Sequence, residues 1–197
     1  MKTIKEYLGF GKNDIVTLSD LQTQTEFNML SVDFIITEVR TYKEPSSYFT
    51  YTCYFASYKP SVGDEQTIML MVRQIGANFD LRVFYMDSSG PSEDFVPLFD
   101  ALKDDLIDRF NATLHFGEDD VEVTWDRQGD SKFGIETKST QSGESDPKTI
   151  AEYFTADDSR GNPHCFIEWT GNKLGGFIEV WYGCEVRVDD VELLHNH

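Results

Sequence analysis

Two glutamates interrupt segments that otherwise read as apolar strands. Glu168 lies in Phe166-Ile-Glu-Trp169, and Glu179 lies in Phe177-Ile-Glu-Val-Trp181. A carboxylate set among such neighbours loses water, and a desolvated carboxylate keeps its proton to higher pH, as general acid–base work requires. Side chains alternate along a strand, so Phe177, Glu179 and Trp181 share one face. The pattern predicts an aromatic-lined ligand groove whose members are Glu168, Glu179 and Trp181. The competing reading is a partly covered sheet face with no chemistry.

A second candidate is a run of acids. Asp104, Asp105 and Asp108 precede Glu118, Asp119, Asp120 and Glu122. A calcium loop needs oxygen ligands at fixed alternate positions and a glycine at the bend. Gly117-Glu-Asp-Asp-Val121 has no such register, so no metal site is expected there. The run reads as a docking face for a basic protein or polycation, or as a solvated surface that keeps the chain soluble.

Other chemistry finds little support. His115 and His164 are isolated, and His195-Asn-His197 reads as a frayed terminal tail. Cys53, Cys165 and Cys184 are odd in number, without metal-like spacing, and read as reduced, buried thiols. No nucleophile elbow, zinc-binding helix motif or phosphate loop is present, and Gly171-Asn-Lys-Leu-Gly-Gly176 reads as a hairpin turn. No cofactor is expected.

Charge narrows the partner classes. The 197 residues carry a net charge of −18. Residues 1–84 contribute −2, residues 85–130 contribute −10 and residues 131–197 contribute −6. Nucleic acid and anionic lipid are repelled by such a field, and basic partners are attracted. Aromatic content of 14 % supplies enough large apolar side chains for a packed core, which sets the chain apart from disordered acidic sequences. No apolar run is long enough to span a membrane as a helix, and the start is too polar for a signal peptide, so a cytoplasmic protein is expected.

The elements that must position these residues are mostly strands. Val32–Tyr42, Tyr48–Tyr58, Gln66–Ile75 and Phe79–Met86 alternate as strands with short connections, which predicts an antiparallel meander. Phe95, Leu98, Phe99, Leu102, Leu106 and Phe110 recur at spacings of three and four, which predicts an amphipathic helix over 97–110. Thr113–Phe116, Val121–Asp126, Phe133–Lys138, Ile150–Ala156, Cys165–Thr170, Gly176–Trp181 and Glu185–Val188 read as further strands.

Two stretches look alike. Cys53-Tyr-Phe, Ile68–Val72 and Phe79–Tyr85 match Glu152-Tyr-Phe, Cys165–Trp169 and Phe177–Tyr182 at offsets of 97 to 99 residues. An internal repeat of a small meander follows as an expectation, because one such sheet cannot bury both faces alone. The expected fold class is α+β, mainly antiparallel, with two related β-meander units flanking one amphipathic helix. The units are 1–94 and 113–197, with the bridging helix in 95–112; the alternative is one compact domain.

Ile68-Met-Leu-Met-Val72 with Leu81-Arg-Val-Phe-Tyr-Met86, and Phe166-Ile-Glu-Trp169 through the segment 183–194, resemble bacterial protein families of unknown function encoded beside polyamine-related genes. This resemblance rests on general pattern. It implies a bacterial, cytosolic, strand-rich protein, and it carries no functional residue to this chain. A polycationic ligand would fit the charge.

The leading functional expectation is a non-enzymatic acidic adaptor that contacts a basic partner through 94–122. One alternative is a phosphate-mimicking inhibitor or immunity-type protein. The other is an enzyme with Glu168 or Glu179 in an aromatic-lined groove.

Overall fold

The computed structural model describes residues 2–19, 31–43, 49–59, 63–91, 109–116, 119–127, 132–139, 145–154, 163–170 and 176–196. Among these, the chain is nearly all antiparallel sheet with no helix of seven or more residues, which corrects the α+β expectation. Residues 92–108, where most of the predicted helix falls, lie outside the described residues. Its last two positions, Arg109 and Phe110, begin a strand paired with Asp126 and Trp125. At Arg109 and Phe110 pairing with Asp126 and Trp125 takes the place of the helix that the spacing predicts.

Twelve strands form the sheet: β1 (Ile15–Ser19), β2 (Ser31–Lys43), β3 (Phe49–Tyr58), β4 (Gln66–Ile75), β5 (Asn78–Pro91), β6 (Arg109–Phe116), β7 (Asp119–Arg127), β8 (Lys132–Ser139), β9 (Ser145–Phe154), β10 (Pro163–Thr170), β11 (Phe177–Val186) and β12 (Val191–Leu194). β2 through β5 form one meander, and β8 through β11 form another. The last strands of the two meanders pair with each other, and so do the first. Eight strands therefore close a circuit, β2-β3-β4-β5-β11-β10-β9-β8 and back to β2. An eight-stranded closed sheet has an interior just wide enough for side chains to fill.

Directly paired residues lie on one face, so the register sorts lumen from exterior. Tyr42, Tyr51, Cys53, Phe55, Met69, Met71, Phe84, Ile150, Phe166 and Trp181 form the buried apolar middle of the lumen. Rings from opposite walls meet there: Phe55 and Trp181 lie 5.3 Å apart, and Tyr42 and Phe166 lie 5.9 Å apart. A second core covers the outer face of β3, β4 and β5. Val16 and Leu18 of β1, Val191 and Leu193 of β12, and Tyr7 pack there against Tyr54, Ile68, Leu70, Leu81 and Val83. Tyr7 belongs to a 3-10 turn over Ile4–Tyr7, and Tyr54 fixes that turn by donating its hydroxyl to the Tyr7 carbonyl at 2.8 Å.

The stretches that look alike in sequence fall on β3 and β9, on β4 and β10, and on β5 and β11. Cys53 and Glu152 share the lumen face, as do Met69 and Phe166. The third pair differs, because Phe79 packs on the outer core whereas Phe177 shares the face of Glu179.

Two local devices shape the lumen wall. β2 shifts register between Ile36 and Glu38, with Thr37 as the extra residue. Before this bulge Phe34 and Ile36 face the outer core, and after it Glu38, Arg40 and Tyr42 face the lumen. The Thr37 hydroxyl donates to the Phe55 carbonyl at 3.1 Å and holds the bulge in place. The second device is Gly183 of β11, opposite Phe84. A Cβ there would lie 2.0 Å from the Val83 carbonyl oxygen and 2.7 Å from the Phe84 Cα, both backbone atoms.

Replacing Gly183 therefore forces the β5–β11 seam apart. Gly183→Ala is expected to lower unfolding free energy by about 1–3 kcal/mol, the usual range for overpacking. Gly11→Ala, which meets nothing within 4 Å, is expected to leave it within about 0.5 kcal/mol. Urea unfolding of both variants checks the contrast.

Candidate functional site

The lumen face of β10 presents His164, Phe166 and Glu168, and that of β11 presents Glu179, Trp181 and Glu185. Glu168 and Glu179 stand directly opposite each other across the two strands. Like charges in that position destabilise a sheet unless a cation lies between them. Arg40 of β2 supplies it from the opposite wall. Its Nη1 lies 3.2 Å from Glu168 Oε1 and 2.5 Å from Glu179 Oε2, and its Nη2 lies 3.5 Å from Glu179 Oε1.

The remaining faces of the guanidinium are also occupied. Nε donates to Glu38 Oε1 at 2.9 Å and Nη2 donates to Glu38 Oε2 at 3.1 Å, a two-point fork. The Phe55 ring lies beneath, 4.2 Å from Cζ. Tyr42 donates its hydroxyl to the second oxygen of Glu168. Burial opposes the charge on Arg40, and the carboxylates of Glu38, Glu168 and Glu179 outweigh it, holding the guanidinium above its ordinary range. Burial pushes the Tyr42 phenol well up, and the Glu168 charge beside it adds to the effect. Both Glu168 oxygens accept hydrogen bonds, one from Arg40 and one from Tyr42.

A second network occupies the other end of the lumen. Arg82, 1 % exposed, lies 3.4 Å from Asp80, 3.5 Å from Glu152 and 3.6 Å from Glu185. Arg73 lies 3.2 Å from Asp80 and 3.8 Å from Glu152, and the Tyr51 hydroxyl donates to Glu152 at 3.4 Å. His164 is buried beside them, with Nε2 3.5 Å from Glu185. Burial first, and then the charges of Arg82 and Arg73, lower its pKa to about 3.

The predicted groove residues are thus placed differently from one another. Glu168, Glu179 and Trp181 do come together, inside the barrel rather than along an open groove. Trp181 is 1 % exposed, and only Phe177, at 46 %, stays open to solvent. Of the predicted acidic face, Asp104, Asp105, Asp108 and Glu118 lie outside the described residues. Asp119, Asp120 and Glu122 are residues of β7, in register with Phe116, His115 and Thr113 of β6.

His195 is tied down rather than frayed: Nδ1 lies 3.1 Å from Asp14, and the ring stacks on Phe10 at 4.5 Å. His197 lies outside the described residues. Burial pushes the Cys53 and Cys165 thiols well above their ordinary range, so neither is an available nucleophile. Among the described residues no group of three or more His, Cys, Asp or Glu side chains is arranged to hold a metal ion. No helix among them is long and apolar enough to cross a membrane.

Sequence reasoning missed Arg40, Arg73, Arg82 and Glu152 as site members. For Arg73 and Arg82 the signal was the alternation Met69-Leu-Met-Val-Arg73 and Asp80-Leu-Arg-Val-Phe84, in which every second residue belongs to one face. Compared with protein-family models, curated proteins and solved structures, the chain matches none.

Removing the central cation leaves three carboxylates facing one another, Glu38 and Glu168 of them buried. Arg40→Met is expected to cost about 3–5 kcal/mol of unfolding free energy, the range for breaking a buried ion pair. Arg40→Lys should recover less than half of that, since a point charge cannot reach all three carboxylates. Chemical denaturation of the two variants measures both effects.

Proposed function

We propose that the chain is a non-enzymatic acidic binding protein that engages a basic partner, a protein or a polycation, through the 94–122 region. The observation that carries this reading is where the net charge lies along the chain. The two lumen networks contain Arg40, Arg73 and Arg82 against Glu38, Asp80, Glu152, Glu168, Glu179 and Glu185, a balance of −3. That leaves −15 of the chain's −18 outside them. Residues 85–130 alone contribute −10. Such a field raises the encounter rate with a cationic surface and disfavours anionic ones.

The engagement of Glu168 by Arg40 and Tyr42 supports the non-enzymatic reading, since both of its oxygens are held by side chains of the barrel itself. A partner that ordinarily binds nucleic acid, and loses that ability in the complex, would make the protein a phosphate-mimicking inhibitor.

Binding to oligolysine, followed by calorimetry across a salt series, tests the proposal. Affinity is expected to fall at least about tenfold between ~50 and ~300 mM salt, as screening of exposed charges requires. Asp104→Lys with Asp105→Lys is expected to abolish binding while leaving the thermal transition in place. Binding that ignores both salt and this double substitution would contradict the proposal.

A further inference from the structure

The two ends of the lumen are finished differently. Around Arg40, each guanidinium nitrogen has a hydrogen-bonded carboxylate. At the other end the ion pairs of Arg82 are all 3.4 Å or longer, and neither ring nitrogen of His164 has a hydrogen-bond partner among the described residues. His164 is 5 % exposed, near the start of β10 and in register with Gly183 of β11 and Phe154 of β9. A buried polar ring without partners carries its desolvation cost uncompensated, and such a group calls for an explanation.

The charged and titratable groups at this end come from six strands. They are Tyr51 of β3, Arg73 of β4, Asp80 and Arg82 of β5, Asp126 of β7, Glu152 of β9 and Glu185 of β11, with Asp126 on the face of Phe154, the residue in register with His164. The carboxylate nearest the ring is Glu185, whose Oε1 is shared with Arg82 Nη2 at 3.6 Å. Its side chain is 46 % exposed, so water already screens its hold on the ring. A proton on His164 therefore adds a third cation beside Arg73 and Arg82; Asp80 and Glu152 are already engaged by those two arginines, and the acid nearest the ring is the half-solvated Glu185.

We propose that His164 is an acid-sensitive latch: protonation expels the ring from the lumen and opens the β10–β11 end of the barrel while the β3–β4 wall stays closed. The locality follows from packing. β3 and β4 are held on both faces, by the lumen core and by the outer core built from Tyr7, β1 and β12. β10 is buried on both faces too, with Phe166 and Glu168 inward and Cys165, Ile167 and Trp169 outward, so opening is confined to its first residues, where His164 meets the loosely paired network and the half-exposed Glu185. Opening free energies differ between such regions.

The sign is fixed by where the proton binds. The free imidazole takes a proton near pH 6.5, whereas the packed ring resists it down to about 3. The opened form thus binds the proton that the closed form refuses, and closure weakens as pH falls below 6.5. Above that pH the latch is insensitive.

Amide hydrogen exchange on the full chain reads this directly. After correction for intrinsic exchange, protection of the Cys165, Phe166, Cys184 and Glu185 amides should fall about tenfold from pH 7.5 to pH 5.5, and about a hundredfold by pH 4.5. Amides of Tyr54 and Leu70 should change less than about threefold over the same range. His164→Gln, or His164→Phe if the first does not fold, should flatten the β10–β11 profile. The wild-type profile decides the matter if neither variant folds. A flat wild-type profile, a parallel fall at Tyr54 and Leu70, or a pH response that persists without His164 would overturn the proposal.

Discussion

The fold turns on one electrostatic obligation. Glu168 and Glu179 face each other across β10 and β11 inside a closed sheet, Glu168 buried and the Glu179 side chain 15 % exposed. A cation must reach them, and it must come from the opposite wall, because Phe166, Trp181 and Ile150 occupy the neighbouring lumen positions. Arg40 meets that demand only because β2 is out of phase with itself. Without the bulge at Thr37, residue 40 would continue on the face of Phe34 and Ile36, toward the outer core. One extra residue in one strand thereby decides whether the lumen is electrically closed.

Such an arrangement gives specificity more than stability. Burying four charged groups forfeits hydration that their mutual attraction only partly returns, and a well-packed apolar cluster of the same volume would serve stability as well. The stabilising work falls to the two apolar cores, one in the lumen and one beneath Tyr7, β1 and β12. What the ion network adds is register. Arg40 fits its three carboxylates in one alignment of β2 against β10 and β11, and a slip by one residue would turn every lumen side chain outward. Most of the chain's negative charge lies outside the lumen networks, which is why interior closure and an acidic field coexist.

Strands were legible in the sequence where alternation was strong and both neighbours were local. β4 has the predicted bounds, and β2, β3, β8 and β10 differ by one or two residues. β5 runs on through Asp87-Ser-Ser-Gly-Pro91, which reads as a turn until β11 provides a partner for it. β11 reads as two pieces because Gly183 looks like a breaker, yet that glycine marks the closest approach of two backbones. β1 is five residues long and pairs with β12 at the far end of the chain, so nothing local announces it. The same distance hides the site. Glu168 and Glu179 could be singled out as misplaced carboxylates, but Arg40 lies 128 and 139 residues away from them, and no spacing rule connects the three.

A double-mutant cycle between Arg40 and Glu179, read by urea unfolding, tests the claim that one guanidinium holds the barrel walls in register. The single substitutions Arg40→Met and Glu179→Gln and their combination should show a coupling energy above about 1.5 kcal/mol, as expected for charges in direct contact away from water. Additive effects, with a coupling near zero, would mean that the two side chains are neighbours without being a clamp, and the account of the lumen would fall with them.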